Sequence, residues 1–429
     1  MSRPFTIAML SIHSSPIGTL GTRDTGGMSV YVRALAREMG RTGHRVDIFT
    51  RARHDHVSAV MRLSANVRLV TLDIGATAPL AKADLYRYAD DYATAIDAFK
   101  TDARSRYDLI HSHYWLSGLV GQMLAKRWPC PHLITFHTLA ALKTNTGTGT
   151  PSPDRRLQTE RKLVQESDAI LAPCQTEIDN LIRFYGAPSD RIRQVPGGVD
   201  FVHFRPRSRA AACRELGFDP ADFILLSVGR LTPLKGQARL IETLARLGND
   251  DRLKLVLVGG EGPGDSEQQR LEQMAAQAGV AARVVFSGSV PHRNLPTYYA
   301  AADVYVQASH YESFGLVGLE ALACGRPVVT SPVGVMASLG ERGQTGCILT
   351  DGSPGAMAAA IAAVRDGTRA WPPAAIHAAV REFNWPQAAT NALEAYAQTI
   401  HRDLPNGRKN PGCEAAPVAP LCPQRPSQP

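Results

Sequence analysis

Several features that would assign the chain to a functional class are missing from it. None of the seven cysteines, at 130, 174, 213, 324, 347, 413 and 422, forms a Cys-x-x-Cys pair, and no histidine stands at zinc-ligand spacing from them, so no metal site is expected. Seven is an odd number, and free thiols in a reducing compartment fit it best. No long basic run occurs despite a net charge of +8 and a pI near 9.2. Acidic residues interleave with the basic ones, so no nucleic-acid partner is expected. Nowhere do about 18 apolar residues run together, which leaves no membrane-spanning helix and no stable membrane insertion. The opening MSRPFTIAMLSIHSSP lacks the apolar stretch and cleavage site of a signal peptide. The expectation is a cytoplasmic protein, with a homo-oligomer possible.

What is present is the composition of a globular α/β protein. Hydrophobic residues make up 44% and charged residues 20% of 429, enough for two cores of roughly 180–200 residues each. Short apolar runs alternate with helical patterns. In the first half the strand candidates are Phe5–Leu10, Val46–Thr50, Val67–Leu72, Asp108–His111, His132–Phe136, Ala169–Ala172 and Arg193–Val195. Helical stretches include Ser29–Arg41, Ala83–Thr101 and Arg155–Glu166. The pattern restarts with Phe223–Val228, Leu253–Val258, Val284–Phe286, Val304–Gln307, Pro327–Thr330 and Cys347–Leu349. The spacings are too uneven for an eightfold barrel, so two doubly wound, Rossmann-like domains are expected. Their seam falls in the Gly- and Pro-rich segment from Pro196 to Pro206. The expected division is 1–200, 201–383, a terminal helix over 384–402 and a disordered tail over 403–429.

Three segments carry candidate chemistry. Gly26 and Gly27 follow the loop after the first strand and open an amphipathic helix, where backbone amides and the helix N-terminus can approach a phosphate. Arg230 and Lys235 follow the strand that ends at Gly229. In open α/β sheets that position faces the ligand crevice, and both cations suit phosphate. Glu312 lies in a loop, and Glu320 stands eight residues on in an apolar helix that begins near Phe314. Carboxylates beside the amides of Phe314, Gly315 and Leu316 suit a polyhydroxylated anion. Each segment alone has a bland reading as a turn or as surface charge. Glu320 argues against that reading, because it interrupts an otherwise apolar helix face.

Together these segments resemble the family 4 retaining glycosyltransferases of GT-B fold, over about residues 5–400. The resemblance rests on Glu312…Glu320, Arg230…Lys235, Gly26-Gly27, the strand end Val256–Gly260 and Tyr299–Val304. Asp24–Met28, His111–Trp115 and His137–Ala140 are most similar to the branch of mycothiol-pathway N-acetylglucosaminyltransferases and sucrose-phosphate synthases. The resemblance implies a nucleotide-diphosphate sugar as substrate, UDP-linked above other bases, and no cofactor. It implies that Arg230 and Lys235 bind the diphosphate, Glu320 the ribose, and Glu312 with the Phe314–Leu316 amides the sugar. Gly27 would approach the β-phosphate and His137 the reacting centre. Lys82, Tyr114, Thr138 and an Arg of the Arg155-Arg156 pair fall where that branch binds an acceptor phosphate, which points to a small polar acceptor, a phosphorylated polyol or sugar. Retention implies same-face attack, with a donor phosphate oxygen taking the acceptor's proton. Ser29 departs from the Asn of the mycothiol enzymes, and Gly334-Val335-Met336-Ala337 from the family's usual Gly-Gly-Leu-Pro. The terminal helix is expected to cross back onto the first domain.

Three rivals remain. A glycosidase could use Glu312 and Glu320 as acid and base, but it leaves Arg230, Lys235 and the glycine pair without a role. A nicotinamide enzyme is prompted by the glycines at 260, 262 and 264, whose spacing is wrong for the fingerprint. A non-catalytic sugar-nucleotide sensor would keep the binding residues without transfer. The chain has no Asp-x-Asp pair of the kind metal-using transferases carry. His13, His111 and His113 could form a metal trio, though histidines satisfied by their surroundings are the simpler reading. Tyr298, Tyr299 and Met274 read as packing.

Overall fold

The computed structural model describes residues 3–17, 26–52, 59–74, 82–145, 154–260, 262, 264–343 and 345–401. Asp24, Thr25, the side chain of Lys82 and the expected tail at 403–429 lie outside the described residues. The first sheet contains β1 (Thr6–Leu10), β2 (Arg45–Arg51), β3 (Ala59–Ser64), β4 (Val67–Leu72), β5 (Leu109–His113), β6 (His132–Thr135), β7 (Ala169–Ala172) and β8 (Ile192–Gln194). Their order is β3-β4-β2-β1-β5-β6-β7-β8. The second sheet contains β9 (Phe223–Val228), β10 (Leu253–Val258), β11 (Val284–Gly288), β12 (Val304–Gln307), β13 (Val328–Thr330) and β14 (Cys347–Leu349). It runs β11-β10-β9-β12-β13-β14, the doubly wound order of a Rossmann fold.

Every pairing is parallel except that of β3 with β4. Strands such as β1 and β10 carry near-continuous apolar runs because helices cover both of their faces. β3 was not anticipated. It is an exposed antiparallel edge, with Val60 and Met61 54% and 50% accessible, so backbone pairing rather than burial defines it. The helix expected over Ala83–Thr101 divides into a 3₁₀ turn, Lys82–Tyr88, and a helix, Ala89–Asp102. Asp90 and Asp91 occupy the first turn of the latter, where they favour a helix start. The five described cysteines are buried thiols, and no described helix is long and apolar enough to cross a membrane.

The helix Trp385–Ile400 ends the described chain but packs with the first domain. Asn384 caps it by accepting from the Gln387 amide at 2.9 Å, and Pro386 stands in its first turn. Trp385, Ala388, Ala389, Ala392, Ala395, Tyr396 and Ile400 join the core around Ile7, Met9, Val30 and Leu35. The small alanine face permits close approach to the helix Gly27–Arg41. At the seam, Val199 bridges Asn384, and a Cβ on Gly198 would collide with the backbone of Trp385. Gly198→Ala should therefore destabilise the protein by ~1–3 kcal/mol, as overpacking against rigid backbone does, and should lower the urea midpoint while a surface control such as Gly355→Ala does not.

Candidate active site

Each sheet reverses its strand order once, between β1 and β5 in the first and between β9 and β12 in the second. Flanking connections diverge at such a point and leave a crevice outside the carboxyl ends. Gly229 and Arg230 leave β9 there, and Ser309 to Glu312 leave β12. A Cβ on Gly236 would overlap the Ala308 carbonyl, which joins these two loops, and one on Gly259, just after β10, would overlap the carbonyl of Gly229.

In the second domain Lys235 Nζ lies 2.5 Å from Glu312 Oε1, and the pair is largely shielded, with side chains 22% and 12% accessible. Ser309 Oγ donates to the same oxygen at 2.8 Å. Arg230 is exposed, and its carbonyl accepts from Gln237 Nε2 at 2.9 Å. Phe314 is buried, Gly315 is left-handed at φ 99°, and Leu316 opens the helix Leu316–Ala323, whose first amides have no intrahelical acceptor. Glu320 is buried in that helix, as its position among apolar residues implied. Its Oε1 is 2.6 Å from His292 Nε2, and its Oε2 accepts from Tyr299 OH at 2.9 Å.

The first domain faces these groups. Gly26 caps the helix Gly27–Arg41, its carbonyl accepting from Ser29 N at 2.9 Å. A Cβ on Gly27 would come within 3.8 Å of Leu316 Cδ1, so the glycine pair lies directly opposite the second domain's helix start. Tyr114 and His137 follow β5 and β6 with φ of 76° and 59°, a left-handed conformation uncommon outside glycine. Arg156 is buried against this surface. Its Nε donates to Glu160 at 2.6 Å, and its Nη2 donates to Thr138 O and Oγ1 at 2.8 and 3.1 Å. Its guanidinium sits 4.9 Å from the Tyr114 ring centre. Burial raises the Tyr114 pKa, with the charges of Arg156 and of Arg230, across the cleft, pulling against it.

Tyr114, Thr138 and Arg156 thus converge, whereas Arg155 is exposed and stacks 4.0 Å over the Tyr86 ring. Lys82 begins the 3₁₀ turn that bears Tyr86, and its side chain lies outside the described residues. His137 Nε2 and His113 Nδ1 share a hydrogen bond at 2.9 Å. Burial pushes His137 down to about 3 and His113 well below its ordinary value, so both are neutral. His111 bonds Tyr396 at 2.7 Å and Thr135 at 2.9 Å, and His13 packs on Tyr114 with ring centres 4.3 Å apart. His111 is thus held through both ring nitrogens, whereas His113 Nε2 is buried with no hydrogen-bond partner, and no group of His, Cys, Asp or Glu able to hold a metal ion occurs among the described residues.

One expectation about the site needs correction, and the rejection of a dinucleotide fingerprint gains a structural reason. Tyr299 is more than packing, because its hydroxyl holds Glu320. The glycines at 260, 262 and 264 follow β10, the second strand of its sheet, whereas a dinucleotide fingerprint follows the first. Sequence reasoning also missed His292, Ser309 and Glu160. They come from elements distant in sequence, or carry no motif, and only folding brings them to the residues they hold.

Burial works against a charge on His292, but Glu320 outweighs it and the His292 pKa is raised. The pair's contribution to stability is complete below the ordinary histidine value of 6.5 and disappears as pH rises through the raised value. By NMR titration, Glu320→Gln should move the His292 midpoint down, below that of wild type. An unchanged midpoint would contradict the coupling.

Residues 25–202 match the family described as Glycosyltransferase Family 4, and residues 208–369 match Glycosyl transferases group 1. The chain is 38% identical over 408 residues to a D-inositol 3-phosphate glycosyltransferase of Xylanimonas cellulosilytica, covering 92% of this chain and 97% of that one. Its structure is similar to sucrose-phosphate synthase from Thermosynechococcus elongatus, at TM-score 0.81 and 29% identity over 92% of this chain and 99% of the other. It also shares its fold with Anabaena HepE, solved with UDP and glucose, at TM-score 0.70 and 20% identity over 92% and 100% of the chains. Two facing doubly wound domains and a near-full-length match to both relatives lead to one conclusion: the chain belongs to the family 4 glycosyltransferases and has their GT-B fold.

Proposed function

We propose that this enzyme moves a hexosyl group from a UDP-sugar to a small phosphorylated polyol, with retention of configuration and without a metal ion. The observation that carries the acceptor half is the convergence of Arg156, Tyr114 and Thr138 across the cleft from Arg230. A buried guanidinium beside two hydroxyls suits a phosphate monoester and exceeds what a neutral sugar requires. Glu160 shares the charge of Arg156, so Arg230, and in our reading Lys82, supply the remaining positive potential. The similarity to D-inositol 3-phosphate glycosyltransferases makes inositol phosphate the first acceptor to test.

On the donor side, Arg230, Lys235 and the amides from Phe314 to Leu316 would hold the diphosphate and sugar. Preorganised charge of this kind stabilises a departing nucleotide diphosphate. A donor would compete with Glu312 for the Lys235 ammonium and offer sugar hydroxyls to the carboxylate in exchange. Glu320, fixed by His292 and Tyr299, would receive the ribose hydroxyls. His137 is neutral and can hydrogen-bond the sugar without repelling an oxocarbenium-like transition state. With no enzymic nucleophile assigned, retention would follow from same-face attack, a donor phosphate oxygen taking the proton. The glycosidase alternative still leaves Arg230, Lys235 and the glycine pair without a role. The buried thiols are consistent with a cytoplasmic setting.

Arg230→Ala and Lys235→Ala should each lower kcat by about 100- to 1,000-fold, as loss of a transition-state contact does. Wild-type turnover should persist in EDTA. Near-native rates in both variants, or a loss in EDTA that Mg²⁺ restores, would sink the donor assignment. Removing the acceptor's phosphate should cost about 2–4 kcal/mol in kcat/KM. Lys82→Ala and Tyr114→Phe should shrink that difference while leaving slow donor hydrolysis intact. Equal rates with inositol and inositol phosphate would defeat the phosphate pocket.

A further inference from the structure

Glu177 lies in the first turn of the helix Gln175–Tyr185, which follows β7, and it is buried. Its carboxyl reaches into the second domain. Oε2 accepts from Tyr311 OH at 2.9 Å and Oε1 from Ser313 Oγ at 3.1 Å, the two residues that flank Glu312. Two more contacts join the same segments. Cys174 Sγ donates to Ser313 O at 3.2 Å, and Thr176 Oγ1 donates to Gly334 O at 3.3 Å. Gly334 underlies the loop, since Val335 N donates to Phe314 O at 2.8 Å and a Cβ on Gly334 would overlap that carbonyl. One short stretch of the first domain therefore grips the loop 311–314 from two sides.

We propose that Glu177 is a positioning residue for sugar transfer: through Tyr311 and Ser313 it fixes the loop carrying Glu312 against the acceptor-side domain. The proposal rests on the reading of Glu312 as a ligand of the donor sugar. The groups facing Glu177 are the Tyr311 and Ser313 hydroxyls from the loop, Cys174 from its own helix cap, and the carboxylate of Glu160 from the helix Asp154–Glu166. Burial, opposed by the bonds from Tyr311 and Ser313 and reinforced by the charge of Glu160, pushes Glu177 up to about 8. Both hydroxyls donate to the carboxyl, so these bonds oppose the neutral form of Glu177, and it is burial that favours it. Once ionised it would be a buried charge beside a second carboxylate, and the grip would loosen.

The arrangement also connects the two halves of the site. Glu160 binds Arg156 at 2.6 Å, Tyr185 at 2.5 Å and the Ala140 amide at 2.9 Å. Arg156 bears on Thr138, so the acceptor pocket and the donor-sugar loop both lean on neighbouring carboxyls of adjacent helices.

The test compares wild type, Glu177→Gln, Glu177→Ala and the Tyr311→Phe/Ser313→Ala double variant in kcat, KM, UDP affinity and thermal midpoint across pH. Wild-type kcat should fall above the pKa of about 8, and Glu177→Gln should keep a neutral-pH rate within about threefold while losing that alkaline limb. Glu177→Ala should lower kcat by about tenfold or more with UDP affinity unchanged, because the expected nucleotide contacts lie elsewhere. If Glu177→Ala does not fold, the double variant should show the same split. Identical pH profiles in wild type and Glu177→Gln, or UDP affinity that falls together with kcat, would overturn the proposal. The thermal arm needs no activity. A raised folded pKa means that the stability of wild type relative to Glu177→Gln declines from 4.5 to about 8 and is level above. A flat difference refutes the neutral acid, whereas that decline without any alkaline limb in kcat would overturn the positioning role and leave the donor-site reading to the Arg230 and Lys235 variants.

Discussion

Because crossovers between parallel strands are right-handed, a sheet wound in only one direction would carry all its helices on one face. Each domain here therefore starts in the middle and builds outward twice, and at the reversal the connecting loops part. The crevices so formed, beyond β1 and β5 and beyond β9 and β12, face one another because the last helix returns to the first domain's core. Gly27 against Leu316, and Gly197 against Phe314, record how close the approach is: a Cβ on Gly197 would stand 2.8 Å from the Phe314 ring. From this follow the glycines at the seam, the small residues of the crossing helix and the placement of every polar group discussed above.

The second constraint is electrostatic. Charges at a shielded interface persist only if they are paired or hydrogen-bonded. Glu320 has His292 and Tyr299, Glu312 has Lys235 and Ser309, and Arg156 has Glu160 and Thr138. These partners fix the orientation of Glu320, Glu312 and Arg156. The histidines behave differently. Burial strips His111, His113 and His137 of charge.

Much of this was legible in the sequence for identifiable reasons. Strands buried on both faces write themselves as apolar runs, so the parallel strands of both sheets were found within a residue or two, while β3, held by backbone pairing at an edge, left no such trace. Glu320 was visible because a carboxylate within an apolar helix is costly unless it is held. Arg156 could not be told from Arg155 by motif. The helix period decides between them, turning one inward to Glu160 and the other out over Tyr86.

By itself the sequence determined the fold class and the family, because the hydrophobic period and the glycine, cation and carboxylate spacings are local properties of the chain. It also singled out the segments proposed to bear chemistry. Only the tertiary structure decided which side chains hold those groups in place. His292 reaches Glu320 across 28 residues, and Ser313 reaches Glu177 across 136. Such contacts depend on where strand order reverses and on how two domains meet. No period or spacing records that, since the free energy that selects it comes from burial summed over the whole chain.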